Sequence, residues 1–421
     1  MSKLTKYKFS DLYEMSSGIS SSKAQAGHGS PFVSFSTVFN NYFLPEELSN
    51  LMNTSLKEQE IYSVKKDDVF ITRTSETVDA LAMSSVAIKD YPKATFSGFV
   101  KRLRPKTTGI VYSKYIAFFL RSKYFRKVLN CNTIMTLRAS FNEDIFSFLY
   151  VYLPDYEEQV RIGDLLYKME MKVRTNNKIN DNLEQQAKLL YDYWFTQFDF
   201  PDENGQPYRS SGGKMVWNEQ LKRTIPDSWT TNPLSDIFTY KSGYSFSSDL
   251  YEVSGKYKLL TIKNIQNNGI NLNVDNYINI LPDNVPDYCL LKAKDILMSL
   301  TGNVGRVGIM YTDNCLLNQR VALAEPVNIN QRVFVYFLLK SDIIHKQYKM
   351  IANGSSQQNL SPIEAEKVII AYNPEVATKF STLCNEYLNT IVSNLAENQE
   401  LVKLRDWLLP MLLNGQATIS D

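Results

Sequence analysis

The sequence predicts a mixed α+β fold in which two similar globular α/β domains are joined by two long helices, paired antiparallel as a coiled coil. The stretch 157–195 places seam residues at steps alternating between four and three, and it contains no proline. That spacing indicates a helix packed lengthwise along another helix. The stretch 375–415 repeats the pattern after 218 residues (380 − 162), so that Ile162 corresponds to Phe380. The chain is therefore predicted to be an internal duplication with pseudo-two-fold symmetry.

The seam of the first long helix contains two asparagines near its middle. A helix of about 40 residues spans about 60 Å, which is too long for the core helix of one domain. Asn180 recurs as Asn398 in the second helix, and a buried polar residue in a seam fixes register at a cost in stability. We expect these two side chains to meet near the middle of the helix pair. The seam residues are Ile162, Leu166, Met169, Val173, Asn176, Asn180, Leu183, Ala187, Leu190 and Trp194.

The repeat extends beyond the helices. FSDLYEMSSGI (9–19) corresponds to LSDIFTYKSGY (234–244), and KKDDVFITRTS (65–75) corresponds to KAKDILMSLTG (292–302). Gly18 and Gly243 are predicted to allow tight turns, and 31–39 and 257–265 are predicted to be strands. The boundaries are a first domain at 1–154, a long helix at 155–199, a connector at 200–229, a second domain at 230–373 and a long helix at 374–416.

Local signals support those boundaries. Asp155 and Asn373 are predicted to cap the starts of the two long helices, and Asn414-Gly415 is predicted to end the second. The connector is rich in glycine, proline, serine and charged residues, so we expect little regular structure there.

Composition restricts the class of protein. The chain has 421 residues with 44% hydrophobic and 21% charged residues, which is typical of a soluble globular protein of two or three domains. The net charge of +2 excludes a basic field over the whole surface. The four cysteines form no CxxC pair, which argues against a disulfide framework or a zinc site and favours a reducing compartment. Without a signal peptide or long apolar run, we expect a cytoplasmic location and no membrane contact.

No catalytic constellation is evident. The chain has two histidines, at positions that the repeat does not relate, and it has no GxxxxGK[ST] phosphate loop. NPEV (373–376) lacks the NPP-aromatic pattern of amino-methyltransferases. We therefore predict no catalytic residue, no metal ligand and no cofactor bound by this chain.

Polar loops occur at equivalent places in both copies, but their residues differ. DNA affinity comes from Lys and Arg on phosphates, and sequence is read by Arg, Lys, Asn, Gln, Ser and Thr on base edges. Any one of these residues fits a solvated loop equally well, but together they indicate one scaffold that reads two short sequences. The candidates in the first copy are Arg73, Thr74, Ser75, Lys101, Arg102, Arg104, Lys106 and Arg138; those in the second are Lys263, Asn264, Gln266, Asn267, Asn303, Arg306, Gln319, Arg320, Ser356, Gln357 and Gln358.

Over essentially its whole length the chain resembles the specificity subunits of Type I restriction–modification systems. The resemblance is carried by PDYEEQVRIGDLLYKMEMKV (154–173) and by LLYDYWFTQFDFPDENGQPYRSSGGKMVWNEQLKRTIPDSW (189–229). The second helix departs from the first at its start, because EVATKF (375–380) lacks the pair Glu158-Gln159.

This resemblance implies two target-recognition domains that read a bipartite double-stranded DNA site, one half-site each, and no catalytic activity in this chain. It implies two modification subunits, which bind S-adenosylmethionine and methylate adenine, and two restriction subunits, which use ATP and Mg²⁺. Two alternatives remain open: the specificity subunit of a modification-only methyltransferase, and a coiled-coil scaffold that binds protein. Salt-sensitive, sequence-specific DNA binding separates the scaffold from the other two.

Overall fold

A computed structural model describes residues 4–20, 22–75, 81–131, 139–354, 358–417 and 419. The chain divides into two compact units, one formed by Met1–Val173 with Glu400–Asp421 and the other by Arg174–Gln399. Each unit contains both sheets and helices, so the predicted mixed α+β class is confirmed.

The first unit is built from short strands interleaved with short helices. Its strands are β1 (Thr5–Lys8), β2 (Tyr13–Ser17), β3 (Ala26–Val33), β4 (Leu51–Met52), β5 (Val69–Thr72), β6 (Thr74–Ser75), β7 (Ser84–Val86), β8 (Thr95–Phe96), β9 (Val100–Pro105), β10 (Ala139–Ser140) and β11 (Tyr150–Leu153). Its helices are α1 (Phe9–Leu12), α2 (Phe35–Asn40), α3 (Leu56–Ile61), α4 (Ser113–Phe119), α5 (Lys123–Cys131), α6 (Glu143–Phe148) and the start of α7 (Tyr156–Tyr191).

The second unit has the same plan. Its strands are β12 (Met215–Asn218), β13 (Arg223–Pro226), β14 (Thr230–Pro233), β15 (Phe238–Ser242), β16 (Tyr257–Leu260), β17 (Ile265–Gln266), β18 (Gly269–Ile270), β19 (Tyr277–Ile278), β20 (Leu290–Leu291), β21 (Ile296–Ser299), β22 (Val307–Ile309), β23 (Cys315–Leu317), β24 (Val321–Pro326) and β25 (Ile369–Tyr372). Its helices are α8 (Arg332–Leu339), α9 (Asp342–Ile351), α10 (Pro362–Glu366) and most of α11 (Pro374–Leu413).

The sheets confirm the duplication strand by strand. The order β2-β9-β5-β7 in the first unit matches β15-β24-β21-β22 in the second, and both sheets are antiparallel. A second sheet in each unit contains one parallel contact, β3 with β8 and β16 with β23. Apolar residues of β5 and β21 are fully buried, as expected for central strands.

Three local expectations are wrong. The stretch 257–265 is a strand only as far as Leu260, because a 3-10 turn at Ile262–Asn264 follows it. The stretch 31–39 is a strand only as far as Val33, because the Ser34 hydroxyl accepts a hydrogen bond from the Thr37 amide and starts helix α2. The connector is not without structure, since β12 and β13 form an antiparallel hairpin. Ile225 and Trp229 bury their side chains in the core of the second unit. The flanking Gly, Pro and Ser residues concealed this short apolar pattern.

Both long helices begin at their predicted caps, and the second ends at the predicted Asn414-Gly415. The Asp155 carboxylate accepts from the Glu158 amide at 2.8 Å, and Asn373 accepts from the amides of Glu375 and Val376 at 3.0 and 3.1 Å. After α11, Gly415 takes φ +66°, which is the conformation that favours glycine beyond a helix C-terminus. The first helix ends differently, because residues Asp192–Thr196 form a π-helical turn after Tyr191.

Within the second unit, α7 and α11 run antiparallel and meet through asparagines. Asn176 donates to Asn398 at 2.9 Å, and Asn394 donates to Asn180 at 2.9 Å. Asn398 also donates to Asn177 at 2.8 Å. The expected direct pairing of Asn180 with Asn398 is therefore wrong by one helical turn. The repeat makes Asn176 equivalent to Asn394 and Asn180 equivalent to Asn398, so two mixed pairs form where one symmetric pair was expected.

One position on the long helices packs differently in the two units. A Cβ atom on Gly163 of α7 would lie 2.7 Å from the backbone nitrogen of Tyr115 in α4. The equivalent residue of α11 is Ser381, whose hydroxyl accepts a hydrogen bond from the Phe334 amide of α8 at 3.0 Å. Each helix thus approaches the same amide of its partner, but only the second leaves room for a side chain.

An aspartate that occurs at equivalent positions of both units has an arginine as its neighbour in the first unit and a glutamate in the second. Asp68, which is 0% exposed on its side chain, accepts two hydrogen bonds from the Arg104 guanidinium at 2.6 and 2.7 Å. This bond raises the pKa of Arg104. In the second unit Asp295 corresponds to Asp68, but Glu325 stands where the first unit has Arg104. Burial, with a contribution from Glu325, raises the pKa of Asp295 above its usual value.

We expect the isosteric variants Asp68→Asn and Asp295→Asn to change stability in opposite directions. At neutral pH, Asp68→Asn removes the charge partner of Arg104 and should lower the free energy of unfolding by about 1.5–3 kcal/mol. Asp295→Asn removes a carboxylate whose raised folded pKa disfavours the ionised form above pH 3.8, so it should leave stability unchanged or raise it. Urea unfolding of the full chain measures both. Equal losses for the two variants would contradict this account.

We expect Asn398→Leu to lower the free energy of unfolding by about 1–3 kcal/mol, because it leaves the buried side-chain amide of Asn176 and the exposed one of Asn177 without this partner. The double variant Asn176→Leu/Asn398→Leu should recover part of that loss, since it makes the contact apolar on both sides. Asn385→Leu, at an exposed position of the same helix, serves as the control. Thermal unfolding monitored by circular dichroism is the measurement. A double variant no more stable than the single one would contradict the expectation.

Candidate nucleic-acid interface

In the second unit, three polar segments meet where the central strand β21 ends. The Leu300 amide donates to the Arg320 carbonyl at 2.9 Å, and the Leu360 amide donates to the Leu300 carbonyl at 2.8 Å. Thr301 and Asn353 each form a β-bridge with Asn359. These backbone bonds bring together the loop 300–306, the turn 318–320 and the segments 353–354 and 358–360. We call this group of segments the second loop cluster.

The first unit builds the same arrangement. The Arg73 amide donates to the Phe99 carbonyl at 2.9 Å, and the Phe141 amide donates to the Arg73 carbonyl at 2.8 Å. Strands β6 and β10 then pair Thr74 with Ser140. We call the residues 73–75, 97–99 and 139–141 the first loop cluster. Its backbone bonds place Arg73 where the second unit has Leu300, and Phe99 where the second unit has Arg320.

One glycine in each unit lets the sheet approach the loop cluster closely. A Cβ atom on Gly18 would lie 2.3 Å from the carbonyl oxygen of Ser97, and one on Gly243 would lie 2.2 Å from that of Asn318. Neither glycine has a positive φ among those recorded for the chain. They are needed because two backbones pass in contact, not because of the predicted tight turn.

The basic run 101–106 lies outside the first loop cluster, and the partners of Lys101, Arg102 and Arg104 within the protein give these three side chains a structural role. Lys106 is exposed. Lys101 is 6% exposed and donates to Ser17 at 2.9 Å. Arg102 donates to the Ser63 carbonyl at 2.7 Å, and burial lowers its pKa. Arg104 is bound to Asp68, and the Lys106 amine donates to the Ser10 carbonyl at 2.8 Å. These cations stabilise strand β9 and its neighbours.

In the second unit, the residues after β16 also divide into structural and exposed ones. Asn264 is buried and donates to the carbonyls of Asn271 and Asn273 at 2.9 and 3.1 Å, so its predicted DNA contact is corrected to a structural role. Lys263 is exposed and pairs with Asp275 at 3.0 Å. Gln266 and Asn267 lie at the turn between β17 and β18. Gln266 lines a cavity of about 520 Å³ together with Asn180.

The remaining candidates of the second unit come together in the second loop cluster. With its side-chain oxygen facing Arg306, Asn303 accepts from both terminal guanidinium nitrogens at 3.2 and 3.3 Å. Gln319, Arg320 and Gln358 are exposed. In the first loop cluster, Arg73 is exposed and Thr74 is half-buried. Arg138, Ser356, Gln357 and the side chain of Ser75 lie outside the described residues.

Sequence reasoning missed one member of these clusters. Phe99 is 67% exposed at the tip of the turn 97–99, and an apolar residue does not fit the polar pattern expected of base readout. Asn359, at the end of the predicted polar run 354–359, bridges Thr301 and Asn353. The offset of Phe99 from Arg320 (320 − 99 = 221) differs from that of Gly18 from Gly243 (243 − 18 = 225), so their equivalence comes from the backbone hydrogen bonds and not from the repeat in the sequence.

Other features of the described residues bear on the class of protein. No group of three or more His, Cys, Asp or Glu side chains suited to a metal ion occurs among them. None of the helices within the described ranges has the length and apolar character needed to cross a membrane. What the structure builds twice is a loop cluster with exposed polar side chains, on a scaffold that is repeated within one chain.

Comparison with known proteins identifies the class. The family model described as the Type I restriction modification DNA specificity domain matches residues 1–185 and again residues 226–371. The chain belongs to this family and contains two of its DNA-recognition domains, as the resemblance in the sequence implied. It is accordingly a specificity subunit of a Type I restriction–modification system.

Two related proteins and one crystal structure match this chain over most of their length. The Type I restriction enzyme MjaIX specificity subunit of Methanocaldococcus jannaschii is 24% identical over 382 residues, which cover 88% of this chain and 82% of that protein. The HindI specificity subunit of Haemophilus influenzae is 24% identical over 438 residues, covering 91% and 94%. The crystal structure of the S subunit from M. genitalium has the same fold, with a TM-score of 0.60, 16% identity and coverage of 98% and 96%.

Proposed function

We propose that this chain reads a bipartite double-stranded DNA site, with one half-site recognised by each loop cluster. The observation that carries the proposal is the pair of loop clusters with equivalent backbone hydrogen bonds and different exposed side chains. Equal backbones would present side chains to two duplex segments in the same way. Different side chains would then select different bases.

The chain would act without chemistry of its own. It would hold two modification subunits, which bind S-adenosylmethionine and methylate adenine, and two restriction subunits, which use ATP and Mg²⁺. Family membership supports this division of work, because the relatives described above are named specificity subunits of restriction enzymes. The long helices α7 and α11 are candidates for the surface on which these subunits assemble and for the element that sets the distance between half-sites.

The test of recognition is a domain exchange read by methylation mapping. Methylome sequencing of cells with and without this gene gives the modified site. Replacing residues 1–150 by those of another family member should change one half-site and leave the other half-site and the gap intact. A matched exchange of residues 230–368 should change only the other half-site. A change in both half-sites from a single exchange would contradict one reader per domain.

We expect the helices to set the gap. Inserting seven residues after Asn177 in α7 and after Glu397 in α11 adds about 10 Å of helix and keeps Asn177 and Asn398 on the same side of both insertions, where they form a hydrogen bond. The gap between half-sites should lengthen by about three base pairs, at about 3.4 Å each, with both half-sites unchanged.

The control for this experiment is a seven-residue insertion between Gly212 and Gly213, in an exposed turn of the connector. Because that turn lies in neither long helix, its lengthening should leave the gap unchanged. A gap that stays constant after insertion into both helices, measured by methylation mapping, would rule out the helices as the spacing element.

A further inference from the structure

The turns 97–99 and 318–320 have the same backbone structure. In each turn, the amide of the first residue donates to the end of a neighbouring strand, at Val33 in the first unit and at Leu260 in the second. The amide of the second residue donates to the carbonyl of the residue after Gly18 or Gly243, and the amide of the first strand residue beyond the turn donates to the carbonyl of the first turn residue. The equivalent residues are Ser97 and Asn318, Gly98 and Gln319, and Phe99 and Arg320.

Phe99 is not required by the packing of the first unit. Its side chain is 67% exposed, and among the described residues its ring packs on no other aromatic ring. The turn is fixed by backbone bonds and by the Ser97 hydroxyl, which accepts from the Phe99 amide at 3.2 Å. The hydrogen bonds that fix this turn do not involve the phenyl ring. The exposed ring is therefore available to a partner that offers an apolar group.

Each cluster exposes one arginine from a hydrogen-bonded pair formed by the strand end and the turn. In the first cluster the arginine lies at the strand end, and in the second it lies on the turn. In the first cluster, Arg73 is exposed at the end of the central strand, and Phe99 lies on the turn that accepts its amide bond. In the second cluster, Leu300 is buried at the strand end, and the exposed Arg320 lies on the turn. The same hydrogen-bonded pair thus presents Arg and Phe in one unit and Leu and Arg in the other.

We propose that Phe99 and Arg320 are specificity-determining residues at equivalent points of the two half-sites, Phe99 contacting the methyl group of a thymine and Arg320 the edge of a guanine. The inference rests on the proposed function. A phenyl ring makes no hydrogen bond to a base edge, and the thymine methyl is the apolar group that the major groove offers. A guanidinium at the same point matches the O6 and N7 acceptors of guanine.

The Phe99 arm of the test uses the complex assembled with its modification subunits and the site found by methylation mapping. Each thymine of the half-site read by the first domain is replaced in turn by uracil, which lacks the methyl group. One replacement should weaken binding about fourfold, the loss expected for one methyl group leaving an apolar contact. Phe99→Ala should bind about fourfold more weakly and show no uracil effect at that position, whereas Phe99→Leu should retain part of it.

The matched control is Phe148→Ala, which removes another exposed phenyl ring of the same unit, outside the loop cluster. It should bind like the parent protein and keep the uracil effect. If no thymine-to-uracil replacement weakens the parent protein, or if the effect persists in Phe99→Ala, the thymine assignment is overturned.

The Arg320 arm replaces each guanine of the other half-site by 7-deazaguanine, which lacks the N7 acceptor. One replacement should weaken binding about tenfold in the parent protein and have no effect in Arg320→Gln. Arg209→Gln, an exposed arginine of the connector, is the matched control and should behave like the parent protein. An unchanged 7-deazaguanine effect in Arg320→Gln, or a half-site without guanine, would overturn this assignment.

Failure of this inference is distinguishable from failure of the proposed function. If domain exchange changes one half-site as expected while the Phe99 and Arg320 variants keep the parent specificity, the two-reader function stands and these residues are not its determinants. If the parent complex shows no sequence preference in binding, the proposed function itself fails and the inference falls with it.

Discussion

The contact of two backbones at Gly18 and at Gly243 is the constraint on which both loop clusters depend. A Cβ atom at either position would overlap a carbonyl oxygen of the neighbouring turn, so the sheet and the turn approach as closely as they do only with glycine. The turns are then held by amide and carbonyl groups. Because backbone hydrogen bonds determine the shape of the turns, the side chains exposed on the turns contribute little to folding and can differ between the two units.

In the long helices, the constraint is the register in which the two helices pair. An apolar heptad seam permits sliding by one heptad at modest cost, since each position meets a similar neighbour. The hydrogen bonds from Asn176 to Asn398 and from Asn394 to Asn180 form in this one alignment. A shift along the seam would break these hydrogen bonds, so the helix pair would be less stable in the shifted register. The polar centre of the pair thus stabilises one alignment selectively.

Much of the fold follows from periodicity and local signals, whereas the site follows only in part. The heptad steps, the caps at Asp155 and Asn373 and the repeat of Gly18 as Gly243 depend on neighbours in sequence, so the sequence reveals them. The hairpin at 215–226 and the partner of Asn180 depend on contacts distant in sequence, and a single sequence does not specify these. The roles of Arg102 and Asn264 were misassigned for the same reason: a polar residue in a strand or capping turn looks like one in an exposed loop until its partner is known.

The difference between Gly163 and Ser381 bears on whether the two long helices are interchangeable. The helices share a seam pattern, but they pack at different closeness on the short helix beside them. Replacing the first helix by the sequence of the second would put a serine where a Cβ atom lies 2.7 Å from the Tyr115 backbone nitrogen, and overpacking of that kind destabilises a domain. Two segments that the repeat makes equivalent are therefore not exchangeable parts, and a chimera built from them has to keep Gly163.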